Sequence, residues 1–88
     1  MNLADMHALV AVVETGSLAH AAVKLNITQP AITRRIQRLE EALDAKLLDR
    51  DVKPARPTAE GEAAYAECIR VLNAANSAGL GNSPRISR

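Results

Sequence analysis

The sequence has no phenylalanine and no tryptophan, and Tyr65 is its single aromatic residue. Any core must therefore be assembled from Leu, Ile, Val and Ala. Strands favour aromatic and β-branched residues, so this supply tilts the chain toward helices. Cys68 is the lone cysteine, which excludes an internal disulfide and points to a reducing compartment. No apolar run approaches the roughly 20 residues that span a bilayer. The N-terminus lacks the basic stretch and apolar run of a secretory signal. A soluble, cytoplasmic protein without a membrane partner is expected. His7 and His20 fall on different helical segments from each other and from Cys68, without metal-ligand spacing. No nucleophile–base pair or phosphate loop is visible, so neither an enzyme nor a cofactor is expected.

Excess charge is also missing. The formal net charge is +1, too small by itself to imply a nucleic-acid partner. The distribution is more telling. Between residues 26 and 58, Arg34, Arg35, Arg38, Lys46, Arg50, Lys53 and Arg56 stand against Glu40, Glu41, Asp44, Asp49 and Asp51. The basic residues cluster where one helix or one loop could present them together. With 88 residues, the chain has room for one small domain and a modest core.

What is present is helical punctuation. Leu3, Met6, Leu9, Val10 and Val13 recur at spacings of three and four, the stripe of a first helix. Gly16 is suited to stop it, and Ser17 to cap the next. Leu18, Ala21, Ala22 and Leu25 repeat the pattern, with small residues where another helix can approach closely. Asn26-Ile27 makes a tight turn, with Ile27 plugging the space between helices. Thr28 caps a third helix and Pro30 fits its first turn, where a missing N–H costs nothing. Ile32, Ile36, Leu39 and Leu43 fall within about 60° of one another at about 100° per residue and form the core face. Pro30, Thr33, Arg34, Gln37 and Arg38 fall on the other side, while Arg35 lies nearer the core edge.

The third helix is expected to end near Asp44. Lys46–Arg50 alternates weakly, as a short strand would, and residues 51–57, with two prolines, form a loop with a short return strand. Thr58 caps a fourth helix, with Glu60 and Glu62 in its first turns to suit the helix dipole. Ala64, Cys68, Val71, Ala75 and Ala78 follow a four-three-four-three spacing. Tyr65, Ile69 and Leu72 make a second stripe beside it; one small domain needs one stripe for itself, so the second is available for a partner, the alternative being a fully buried terminal helix in a monomer. From Gly79 a Gly-, Ser- and Pro-bearing tail is expected to be flexible.

In residue detail this order resembles the N-terminal domain of LysR-type transcriptional regulators. The resemblance rests on Gly16-Ser17, Ala21-Ala22, Leu25, Gln29-Pro30-Ala31, Arg34, Ile36, Leu39-Glu40, Leu43, Leu47, Arg50, Thr58 and Gly61, and covers residues 1–78. It implies a mostly α fold: a winged helix-turn-helix at 1–58 with a three-helix core and a two-stranded wing, its helix-turn-helix at about 18–37. A linker helix follows at 59–78 and a flexible tail at 79–88. It implies sequence-specific binding of double-stranded DNA, with the third helix in the major groove. Gln29 and Thr33 would read bases, Pro30 would make apolar contact, and Arg34 would read guanine or hold phosphate. Thr28 and Arg38 would contact phosphate, and Arg50, Lys53 and Arg56 of the wing the adjacent backbone or minor groove. Ala64, Cys68, Val71 and Ala75 would pair two copies into a homodimer on an interrupted inverted repeat.

Several residues depart from that pattern. Members of the family often carry Phe where this chain has Leu9, Leu18 and Leu48, which thins the core. They usually have Gly where this chain has Asp44, a cost of roughly 1 kcal/mol if that residue is left-handed. Asp49 and Asp51 would repel phosphates. Full regulators continue into a larger ligand-sensing domain that is absent here, so an excised domain or a truncated product without an effector site is expected. The bland reading of Arg34, Arg35 and Arg38 is a solvated helix face, with Glu41 pairing Arg38. With the small net charge and the acidic wing, it leaves an alternative: a protein-interaction module built on the same scaffold, without DNA binding.

Overall fold

A computed structural model describes residues 2–49 and 55–80 of the chain, with side chains through residue 75. The element order is α1 (Leu3–Thr15), α2 (Leu18–Leu25), α3 (Gln29–Leu43), β1 (Leu48–Asp49), β2 (Arg56–Pro57) and α4 (Ala59–Leu80). The strands pair antiparallel, Leu48 opposite Pro57 and Asp49 opposite Arg56. No helix among the described residues is long and apolar enough to cross a membrane.

Local chemistry sets the helix ends. The Asn2 side chain accepts the Asp5 N–H, Ser17 that of His20, and Thr28 that of Ala31. Each satisfies one of the donors a helix start leaves open. Gly16, Asn26 and Asp44 close the first three helices in the left-handed region, at φ 73°, 60° and 52°. Asn and Asp tolerate that conformation better than most residues. The Ile27 N–H reaches back to the Ala22 carbonyl at 3.0 Å, and Ile27 packs partly buried against the core.

Helix α1 is the centre of the molecule, packed against α2, α3 and α4. Its buried face is wider than the expected stripe: Asp5, Met6, Ala8, Leu9, Ala11 and Val12 are all covered, while Leu3 stays 46% exposed. A helix with three neighbours buries residues that a single stripe leaves outside, and the alanines allow close approach. Leu9, Val12, Ile32, Ile36, Leu39 and Leu47 are the largest fully buried side chains. Each contributes about 1.5–3 kcal/mol by leaving water. Leu43 departs from expectation. It is the last residue of α3, the chain turns away at Asp44, and the side chain stays 41% exposed.

Helix α4 continues through Gly79 to Leu80, two residues beyond its expected end. The rest of the expected tail, 81–88, lies outside the described residues. The start of α4 is fixed by Leu47. The Thr58 N–H donates to the Leu47 carbonyl at 3.0 Å. The Thr58 hydroxyl donates to the Lys46 carbonyl at 2.6 Å and accepts from the Gly61 N–H at 3.0 Å. On the other side, the Leu47 N–H donates to the buried Glu40 carboxylate at 2.9 Å. Gly61 lies so close that a Cβ there would stand 1.9 Å from the Leu47 oxygen. Farther along α4, the Tyr65 hydroxyl donates to Glu14 Oε2 at 3.0 Å, and Lys24 Nζ lies 3.6 Å from Glu14 Oε1. One carboxylate thus links α1, α2 and α4.

Gly61→Ala is expected to destabilise the chain by about 1–3 kcal/mol, because backbone rather than a flexible side chain must move. Chemical denaturation checks this, and an unchanged midpoint contradicts the close packing. The hydrogen bond to Glu14 raises the Tyr65 phenol above its ordinary value, with burial and the carboxylate's charge adding to it. The stability from this contact is present below about pH 10 and is lost as pH rises through the higher folded value. Tyrosinate absorbance of this single tyrosine should therefore show a midpoint above about 10 in the folded chain. The midpoint should fall back in denaturant and in Glu14→Ala; an unshifted native midpoint contradicts the bond.

Candidate nucleic-acid interface

The start of α3 presents the residues singled out from the sequence. Thr28, Gln29, Pro30, Arg34, Gln37 and Arg38 are exposed, and Thr33 is half-buried between them. The core side of the same helix carries Ile32, Ile36 and Leu39. The split follows from periodicity, because polar residues occupy the angles left by the apolar ones. Arg35 is half-buried, as its place near the core edge predicts.

Electrostatics favour an anion at this end. The first turn of α3 contains no acidic residue, so no charge of its own first turn offsets the positive end of the helix dipole. The Thr28 hydroxyl accepts from the Ala31 N–H at 3.2 Å, and its own proton remains to be donated. From Gln29 to Leu39 the helix has no carboxylate. Glu40, the first acid of α3, is turned inward onto the Leu47 N–H.

Arg38 is held differently from expectation. Its partner is Asp5 of α1 rather than Glu41 of its own helix. Arg38 Nη2 donates to Asp5 Oδ1 at 2.9 Å and Nε to Oδ2 at 3.3 Å. The hydrogen bond and charge of Asp5 raise the guanidinium above its already high ordinary value. Asp5 was not singled out from the sequence, although a signal exists. It stands four and seven residues before Leu9 and Val12, in line with a buried stripe, where a carboxylate needs a partner.

On the wing, Arg56 is exposed on β2 opposite exposed Asp49. The cross-strand position sets an acid beside the base. Arg50 and Lys53 lie outside the described residues, as does Asp51.

The expected pairing stripe of α4 is divided. Cys68, expected on the pairing stripe, is 4% exposed and belongs to the chain's own core. Burial raises its thiol above the ordinary value, with Glu67 adding to the effect. Ala64 and Val71 are half-buried against the same core, and Ala75 is exposed. Leu43, Met6, Leu47, Ala64, Cys68 and Val71 border an apolar groove of about 360 Å³. Among the described residues no group of three His, Cys, Asp or Glu gathers as a metal site.

A three-helix core with a two-stranded wing and a long C-terminal helix defines a winged helix-turn-helix domain. Residues 3–62 match the family described as "Bacterial regulatory helix-turn-helix protein, lysR family". The transcriptional regulator BenM of Acinetobacter baylyi is 44% identical over 73 residues, 83% of this chain and 24% of BenM. An uncharacterised regulator from the ibpB-leuC intergenic region of Azotobacter vinelandii is 41% identical over 73 residues, 83% of this chain and 51% of its own length. The crystal structure of the BenM DNA-binding domain with benA site 1 DNA is similar with a TM-score of 0.85 at 41% identity. It covers 89% of this chain and 88% of that one. The DNA complex of the CbnR DNA-binding domain gives 0.86 at 37% identity, covering 90% and 91%.

The chain therefore belongs to the LysR family of bacterial regulatory helix-turn-helix proteins and corresponds to their DNA-binding domain. That family consists of transcriptional regulators, not enzymes. The chain spans about half or less of the length of these two curated relatives.

Proposed function

We propose that this chain binds a specific double-stranded DNA site, with the first turns of α3 in the major groove. The observation that carries this is the exposed, carboxylate-free face of α3 from Thr28 to Arg38, on a backbone similar to domains crystallised with DNA. Gln29 suits bidentate pairing with adenine N6 and N7. Thr33 suits a hydrogen bond or a thymine methyl, Pro30 apolar contact, and Arg34 guanine O6 and N7 or a phosphate. Thr28 and Arg38 supply phosphate contacts, and Arg56, with Arg50 and Lys53 of the wing, reaches the adjacent backbone.

Two copies pair through α4 and bring two recognition helices to an interrupted inverted repeat. The face that carries Ala64 and Cys68 supports this, because it continues through Val71, Leu72 and Ala75 to residues only half-buried or exposed in one copy. The exposed Leu43 edge of the groove adds apolar surface next to it. In the cell this activity belongs to the cytoplasm.

Selection from random duplexes, with binding followed across a salt series, tests the reading. The expected product is an inverted repeat of two half-sites whose affinity falls steeply with salt. A single half-site contradicts pairing. Arg34→Ala and Gln29→Ala should each relax preference for the selected site, by about 1–3 kcal/mol per lost base contact, with the helical spectrum intact. Parent-like binding by both variants contradicts the groove assignment. No duplex binding even at low salt would favour the protein-interaction reading.

A further inference from the structure

The Asp5 carboxylate is buried, with its side chain 3% exposed, yet it faces a guanidinium that is half outside, with 50% of the Arg38 side chain exposed. The pair is side-on and two-pronged, through Nε and Nη2. A guanidinium carries five N–H donors in one rigid plane. Asp5 occupies two of them. Planarity directs the other three, on Nη1 and Nη2, away from the carboxylate. Arg38 also stands one helical turn beyond Arg34, on the outward side of α3. Left alone, an exposed arginine samples many rotamers and loses that freedom on binding. Here α1 fixes the guanidinium before any ligand arrives. The backbone anchors Asp5 in turn, because its own N–H donates to Asn2 Oδ1 at 2.9 Å in the first turn of α1.

We propose that Asp5 is a positioning residue for DNA binding, holding the Arg38 guanidinium so that its three remaining N–H groups meet a backbone phosphate. The proposal rests on the duplex-binding reading above and adds a residue that does not itself touch DNA. Its signature runs against simple charge. Asp5→Asn makes the chain more positive by one unit, which alone would tighten DNA binding. Loss of aim acts in the opposite direction.

The test measures the affinity of the full 88-residue chain for the selected duplex across a salt series, with the helical spectrum and thermal melting as controls of folding. Asp5→Asn is expected to weaken binding by roughly two- to tenfold, the range for ordering one long side chain at an interface. In an Arg38→Ala background, with no guanidinium to aim, Asp5→Asn should weaken binding no further. Arg38→Ala alone strands a buried carboxylate and can fail to fold. The double variant D5N/R38A removes both charges and still reports the contact, through a salt slope lower by about 0.9, the loss of one phosphate. Binding by Asp5→Asn as tight as the parent's, or tighter, overturns the proposal, because Asp5 would then be quenching Arg38. So does a parental salt slope in the double variant. A parent chain without salt-dependent duplex binding is a distinct result, which overturns the underlying DNA reading itself.

Discussion

The architecture depends on how the backbone of Leu47 is shared. Its N–H is taken by the buried Glu40 carboxylate, its carbonyl by the Thr58 N–H, and its side chain is fully buried. The end of α3, the base of the wing and the first turn of α4 therefore meet at one residue. Gly61 makes the meeting close, because any larger residue would collide with the Leu47 oxygen. A buried backbone group left without a partner is costly, so none of the three elements can shift independently. Helix α3, the base of the wing and helix α4 are thereby held in one fixed relation.

The same economy governs charge. A net charge of +1 describes the chain but not the face of α3. Several of the acids are engaged within the fold: Glu40 by a backbone N–H, Asp5 by Arg38, Glu14 by Tyr65 and Lys24. The start of α3 keeps its helix dipole and Arg34 without an acid of its own helix nearby. A local field favourable to phosphate therefore coexists with near-neutrality overall. The core makes an analogous compromise. Without Phe or Trp, it relies on a central helix whose alanines let three neighbours close in.

What the sequence made legible was local. Ser17 and Thr28 cap helices, and Gly16, Asn26 and Asp44 close them, because these residues act on their own backbone within a few positions. The outward face of α3 was legible for the same reason, since periodicity alone separates Arg34 and Gln37 from Ile32 and Ile36. Long-range relations were not. Nothing near Arg38 in sequence names Asp5, 33 residues earlier, as its partner. The burial of Cys68 within one copy cannot be read from its stripe on α4, and Leu43 fits a core face until the chain turns away at Asp44. The breadth of the α1 buried face depends on its having three neighbours, which its own pattern does not encode.

The first turns of α3 are proposed to read DNA from the major groove. Methylation interference on the selected site tests this directly, because it marks guanine N7 in the major groove and adenine N3 in the minor groove. N7 methylation at guanines within each half-site is expected to block binding. Interference confined to adenine N3, or absent from both half-sites, would contradict it.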